Sequence, residues 1–112
     1  MAPPKVERWD FAREGPMTLD KIREMFIAAD RFRVSTYEYP AGAEFTEASM
    51  AGICFVLRGQ VMYRFEEFSF EISLSAGEFA NLPSGSHLVL VGKEEAVSLV
   101  KVWELPAEFR PN

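Results

Sequence analysis

His87 is the single histidine of the chain, and it closes a Pro83-Ser84-Gly85-Ser86-His87 element. Imidazole is the side chain best suited to general acid and base work near neutral pH. The competing role is that of a turn residue whose ring nitrogens bond to the backbone near Gly85. Cys54 is the single cysteine, so no internal disulfide can form. It lies in the apolar run Ile53-Cys54-Phe55-Val56-Leu57, which predicts a buried small hydrophobe in preference to a reactive thiol. The chain has no glycine-rich phosphate loop, no serine in a nucleophile elbow and no paired-cysteine metal motif. Met50 and Met62 read as core or pocket filler. Arg58, Arg64, Ser49 and Gln60 read as solvated strand residues.

The elements that must position His87 lie between Gly59 and Leu90. Phe68, Phe70, Ile72 and Leu74 alternate with Ser69, Glu71 and Ser73, a period of two that specifies a strand with one buried face. Ala76-Gly77-Glu78 then turns the chain, Phe79 to Leu82 forms a short strand, and Pro83 and Gly85 bracket a tighter reversal. Upstream, Phe32 to Tyr39 reads as a strand ended by Pro40-Ala41-Gly42. Glu44 to Glu47 is compatible with a strand, and Ala48 to Gly52 with a loop. Ile53 to Leu57 has the continuous apolar character of a strand buried on both faces. Arg58-Gly59 turns it into a strand from Gln60 to Phe65. Glu66-Glu67 supplies no Gly, Asn or Asp for positive φ, which favours a hairpin loop longer than two residues. Leu88 to Val91, a polar turn at Gly92 to Glu95, and a long strand from Val97 to Leu105 containing Trp103 complete the series. Pro106 ends it, and Phe109 is a candidate anchor in the tail.

Thr18 is placed to cap a helix, with Asp20 in its first turn. Leu19, Ile22, Met25, Phe26 and Ala29 form its apolar stripe. Ahead of it, Trp9 and Phe11 should dock on the core or on a partner subunit, since disordered tails rarely carry such residues. Residues 1–31 are therefore expected to form an N-terminal extension with one short helix, and 32–112 a β-barrel. At 112 residues this is one domain with enough chain to bury a core. Ten phenylalanines supply an aromatic one. A net charge of -5 and a pI near 4.9 argue against nucleic acid and anionic membrane surfaces as partners. The N-terminus lacks the apolar segment of a signal peptide, and no stretch approaches a membrane span. A cytoplasmic protein is expected.

The order of these residues resembles the cupin superfamily. Gly77, Pro83, Gly85 and His87 match its second motif, and Phe55-Val56-Leu57-Arg58-Gly59 matches the end of its first, with the distance from Gly59 to Gly77 suited to a small single-domain member. The resemblance covers roughly residues 33 to 105. It implies an all-β, jelly-roll barrel of about eight strands with one short N-terminal helix. It also implies a homodimer and a small-molecule pocket in the barrel mouth, here expected to be lined by Phe45, Phe55, Leu57, Met62 and Leu88.

Family members that do chemistry hold a metal with two His and a Glu from the first motif and a His from the second. Counting back from Gly59, the first-motif positions fall on Phe45, Glu47 and Gly52, and only Glu47 could ligate. The second-motif His arrives one residue early, so that Leu88 occupies the ligand column, and a one-residue slip in a strand turns a side chain to the other face. A metal site would therefore rest on His87 and Glu47, with Glu44 as a third donor, where transition metals take three or more. The expectation is a barrel without a cofactor, binding a small, partly apolar molecule in a sensing or accessory role. The alternative is a small isomerase, cyclase, lyase or dioxygenase-like enzyme, with or without Fe, Mn, Ni or Zn. In a metal-free version His87 exchanges protons, Glu47 orients it, and Tyr63 or Tyr37 polarises a substrate oxygen. A third reading is an interaction module with Trp9, Phe11 and Phe109 exchanged across a dimer.

Overall fold

The structure, a computed structural model, describes residues 2–26 and 31–104. Ala29, Leu105, Pro106 and Phe109 of the sequence reading lie outside them. The described chain runs β1 (Glu7–Arg8), α1 (Phe11–Glu14), α2 (Leu19–Met25), β2 (Phe32–Tyr39), β3 (Glu44–Ser49), β4 (Gly52–Arg58), β5 (Gln60–Phe65), β6 (Phe70–Ser75), β7 (Glu78–Leu82), β8 (Gly85–Val91) and β9 (Val97–Glu104). The strands form two antiparallel sheets, one in the order β1-β7-β4-β9-β2 and the other β3-β8-β5-β6.

Alternation along each strand divides the side chains between two cores. Cys54, Val56, Val61, Tyr63, Phe65, Ile72, Leu74, Val89, Val97 and Leu99 meet between the sheets. Phe55, Val100 and Val102, of opposite parity, point to the other side of the five-stranded sheet, where Trp9 and Ile22 cover them. This is why β4 is apolar on both faces: the extension and α2 bury its outer side as the opposite sheet buries its inner side. Trp9 is held there by edge-on contact with Phe55, by Nε1 donating to the Gly15 carbonyl at 2.9 Å, and by its backbone N–H donating to Gly77. Phe11 stays half-exposed, its ring beside Gly77.

Several local expectations need correction. The extension holds two short helices and a strand, where one helix was expected. Asp10 caps α1 by accepting from the Arg13 N–H, and Thr18 caps α2 by accepting from the Lys21 N–H. Ala48 and Ser49 belong to β3, and Gly52 already to β4, which leaves only Met50 and Ala51 as the connection. Gly52 is required there, because a Cβ would fall 2.5 Å from the Val102 carbonyl oxygen. Phe68 lies in a 3-10 turn over Glu66–Phe68 and not in β6. The loop is longer than two residues, as the missing turn formers predict, and Ser69 takes the left-handed conformation (φ 56°) that closes it. Gly85 begins β8 with φ 125°, a conformation suited to glycine.

Candidate functional site: a lysine, glutamate and histidine cluster

At one end of the inter-sheet core the apolar packing gives way to a polar layer. β3 and β8 pair with Glu47 directly opposite His87. Both residues share parity with inward neighbours, Phe45 on one strand and Val89 on the other, so both point between the sheets. From the other sheet, Lys101 of β9 enters the same layer, paired with Ser35 of β2 and Cys54 of β4. The three side chains converge on one carboxylate oxygen. Glu47 Oε1 lies 2.9 Å from His87 Nε2 and 2.6 Å from Lys101 Nζ.

Aromatic rings wall this cluster in. His87 is 2% exposed and stands edge-on to Tyr63 and tilted against Phe65. The Lys101 ammonium sits over the faces of Tyr37 and Tyr63, 5.1 and 5.5 Å from their centroids. Tyr63 is fully buried, its hydroxyl 3.5 Å from Cys54 Sγ. The second His87 nitrogen, Nδ1, faces the Gly85 carbonyl at 3.3 Å.

The electrostatics follow from this enclosure. Burial pushes the Glu47 carboxyl up, but hydrogen bonds from His87 and Lys101, together with the Lys101 charge, outweigh it and bring the group from 4.5 to about 2. Glu47 is therefore a carboxylate throughout the neutral range, and a weak base. Desolvation raises the Tyr63 and Tyr39 hydroxyls, with the Cys54 thiol and the Glu47 carboxylate respectively adding to the effect. It also raises the Cys54 thiol to about 11, in line with an unreactive buried side chain.

Among solved structures the chain is similar to a cupin domain from Bordetella pertussis, with TM-score 0.55, 21% identity, and coverage of 68% of this chain and 83% of that one. It is similar to the polyketide cyclase RemF from Streptomyces resistomycificus, with TM-score 0.57, 18% identity, and coverage of 79% and 62%. It is also similar to ToxT from Vibrio cholerae, solved with an unsaturated fatty acid bound, with TM-score 0.56, 10% identity, and coverage of 70% and 30%. The chain has the cupin fold. No protein-family model and no curated protein sequence matches it.

The cupin-motif positions sort themselves by strand parity. The early second-motif histidine faces inward after all, and Leu88, in the expected ligand column, faces outward. Because β8 begins at Gly85 and pairs it with Ser49, His87 falls opposite Glu47. The turn contact considered for His87 is present, Nδ1 meeting the Gly85 carbonyl, while Nε2 meets Glu47.

Of the five residues expected to line the mouth, only Phe45 packs into the inner core, against Tyr39. Phe55 and Leu57 lie in the outer cluster beneath the extension. Met62 and Leu88 are half-buried on the outward face of the four-stranded sheet, where Leu88 borders a surface depression with Thr46, Glu66, Glu67, Ser86 and His87. Tyr63, assigned to polarise substrate, has its hydroxyl against Cys54. Glu44 is exposed, three residues from Glu47 and hence on the opposite face. Arg58 and Arg64 form surface pairs with Glu95 and Glu71.

Lys101 is the residue that sequence reasoning passed over. Its signal is a lone charge in the apolar run Val97 to Trp103, at the same parity as Val97 and Leu99, where only a paired cation can be buried.

The residues present do not fit the family's metal. Glu47 and His87 are the two interior donors brought together, and no group of three or more His, Cys, Asp or Glu side chains converges among the described residues. The carboxylate oxygen that would bind a cation already holds one, the Lys101 ammonium.

Proposed function

We propose that this chain is a metal-independent cupin-fold module that takes up a small, partly apolar molecule at the end of the barrel where Lys101, Glu47 and Tyr37 lie, in a sensing or accessory role. The observation that carries this reading is the Lys101–Glu47 contact of 2.6 Å: a resident ammonium takes the place of a metal beside Glu47 and His87. Support also comes from the half-buried aromatic residues Tyr37, Tyr39 and Trp103 on that inner face and from ToxT, a fold neighbour solved with a fatty acid bound. A homodimer belongs to the same reading. Met62, Leu88 and Leu90 give the outward face of the four-stranded sheet an apolar centre for a second copy.

The runner-up is an enzyme using the His87–Glu47 hydrogen bond for acid and base steps, in the direction of RemF, which is named a cyclase. The depressed Glu47 limits that residue to orienting the ring, and His87 is nearly sealed from solvent.

The test is metal analysis of untagged protein alongside native mass spectrometry of the protein as purified. The proposal expects substoichiometric Fe, Mn, Ni and Zn, and added mass that a solvent extract identifies as a small organic molecule. Stoichiometric metal lost on replacing His87 with Ala would overturn it in favour of the enzyme. Light scattering checks the dimer.

A further inference from the structure

The Lys101 ammonium has three N–H donors, and Glu47 accepts from it. The ammonium also lies over the Tyr37 and Tyr63 ring faces, which attract the cation without supplying a lone pair. Beside Lys101 the packing leaves a cavity of about 10 Å³ bordered by Ser49, Met50, Gly52, Cys54 and Trp103. That is room for about one water-sized atom group. Met50 is 45% exposed and Trp103 half-buried, so the side chains between the cavity and solvent are apolar and partly free. One step further toward the rim, Arg33 pairs in register with Trp103, two residues from the Ser35 that pairs with Lys101. The exposed Arg33 and the buried Lys101 therefore occupy successive levels of one sheet face.

Resting on the binding reading above, we propose that the cavity beside Lys101 is the inner end of a site for a small organic carboxylate with an apolar tail. One carboxylate oxygen enters the cavity and accepts from Lys101, Arg33 meets the anion from the rim, and the tail lies against Trp103 and Met50 once they part. Glu47 does not prevent this. Its charge cancels that of Lys101, and Arg33 leaves the layer with a surplus positive charge. A neutral amide of the same shape keeps the apolar contacts but loses the charge-assisted bond, which is worth about tenfold or more in affinity.

The experiment titrates the full chain with hexanoate and benzoate and, in parallel, with hexanamide and benzamide. It follows backbone amide shifts by NMR and thermal stabilisation. The expected result is that the acids bind about tenfold or more tightly than their amides, with shifts centred on Ser49, Gly52 and Trp103, and that added salt narrows the difference. Lys101→Gln should abolish the preference for the acids over their amides. Should that variant not fold, Arg33→Gln at the surface should still lower acid affinity several-fold. Equal affinity for acids and amides at the mouth would overturn this inference and leave the binding reading standing. Perturbation only elsewhere on the surface, or none with any of the four, would overturn both.

Discussion

Lys101 and Glu47 meet at 2.6 Å across the interior, one from each sheet. The contact ties the sheets together by charge at the level where apolar packing ends. A buried pair of this kind stabilises little relative to an apolar replacement, because desolvation offsets the attraction, yet removing one partner strands the other. Glu47→Ala is therefore expected to cost about 3–5 kcal/mol. The double variant Glu47→Leu with Lys101→Met should recover most of that loss, short of the parent by about 1–3 kcal/mol because His87 Nε2 is left without its partner. Urea unfolding of the two single variants and the double gives the coupling directly. Additive losses would show that the pair is not coupled in the folded protein.

The same contact sets the acid limb of stability. Glu47 is held at about 2 in the folded chain against an ordinary value of 4.5, so between those values the unfolded chain binds the extra proton. Its contribution is complete above about pH 5 and fades as the pH falls toward 2. At about 1.4 kcal/mol per tenfold change in proton affinity, and with the partly exposed Glu47 screened by solvent, the effect is about 1–2 kcal/mol. Unfolding free energies measured from pH 6 to pH 2 should fall more steeply for the parent than for Glu47→Gln. Parallel curves would mean that the carboxylate is not held low.

The strands were legible because their signals are local. The alternation of Phe70, Ile72 and Leu74, the apolar run at Ile53–Leu57 and the turns at Gly42, Gly59 and Gly77 depend only on a residue and its near neighbours. Glu47 and His87 could be matched through motif spacing, but the direction of His87 could not, since it depends on β8 starting at Gly85 and pairing with Ser49. Phe55 was misjudged for the same reason: it sits between Cys54 and Val56, and parity assigns it to the outer cluster. Lys101 is 54 residues from the carboxylate it pairs with. Nothing in its sequence neighbourhood names that partner, although a lysine between Val100 and Val102 on a buried strand implies that one exists.

Trp9 closes the outer face of the five-stranded sheet. It is 4% exposed and packs with Ile22, Phe55, Val100 and Val102, whereas Phe11 two residues on is 49% exposed. Replacing Trp9 with Ala opens a cavity under the extension and is expected to cost about 3–5 kcal/mol. The same change at Phe11 should cost less than about 1 kcal/mol. Thermal and denaturant unfolding of the two variants should therefore separate clearly. Equal losses would argue that the extension is held by its backbone pairing of Glu7 and Arg8 with β7, not by its indole.

If Lys101 is what keeps a divalent ion from the Glu47–His87 pair, exchanging it for a ligand should create a site. Lys101→His removes the resident positive charge and offers a second imidazole from the opposite sheet, bringing the donors to three, the number that protein-bound zinc commonly takes with one open position. The variant, loaded with Zn(II) or Ni(II) and then dialysed, is expected to retain close to one ion per chain and to gain thermal stability that a chelator reverses. The parent, treated identically, should retain little and show no shift. Lys101→Met is the control that removes the charge without adding a donor, and it should bind more weakly than the histidine variant. Retention of metal by the parent at the same level as Lys101→His would mean that the ammonium does not occupy the cation position. The assignment of Lys101 as the internal substitute for a metal would then be wrong.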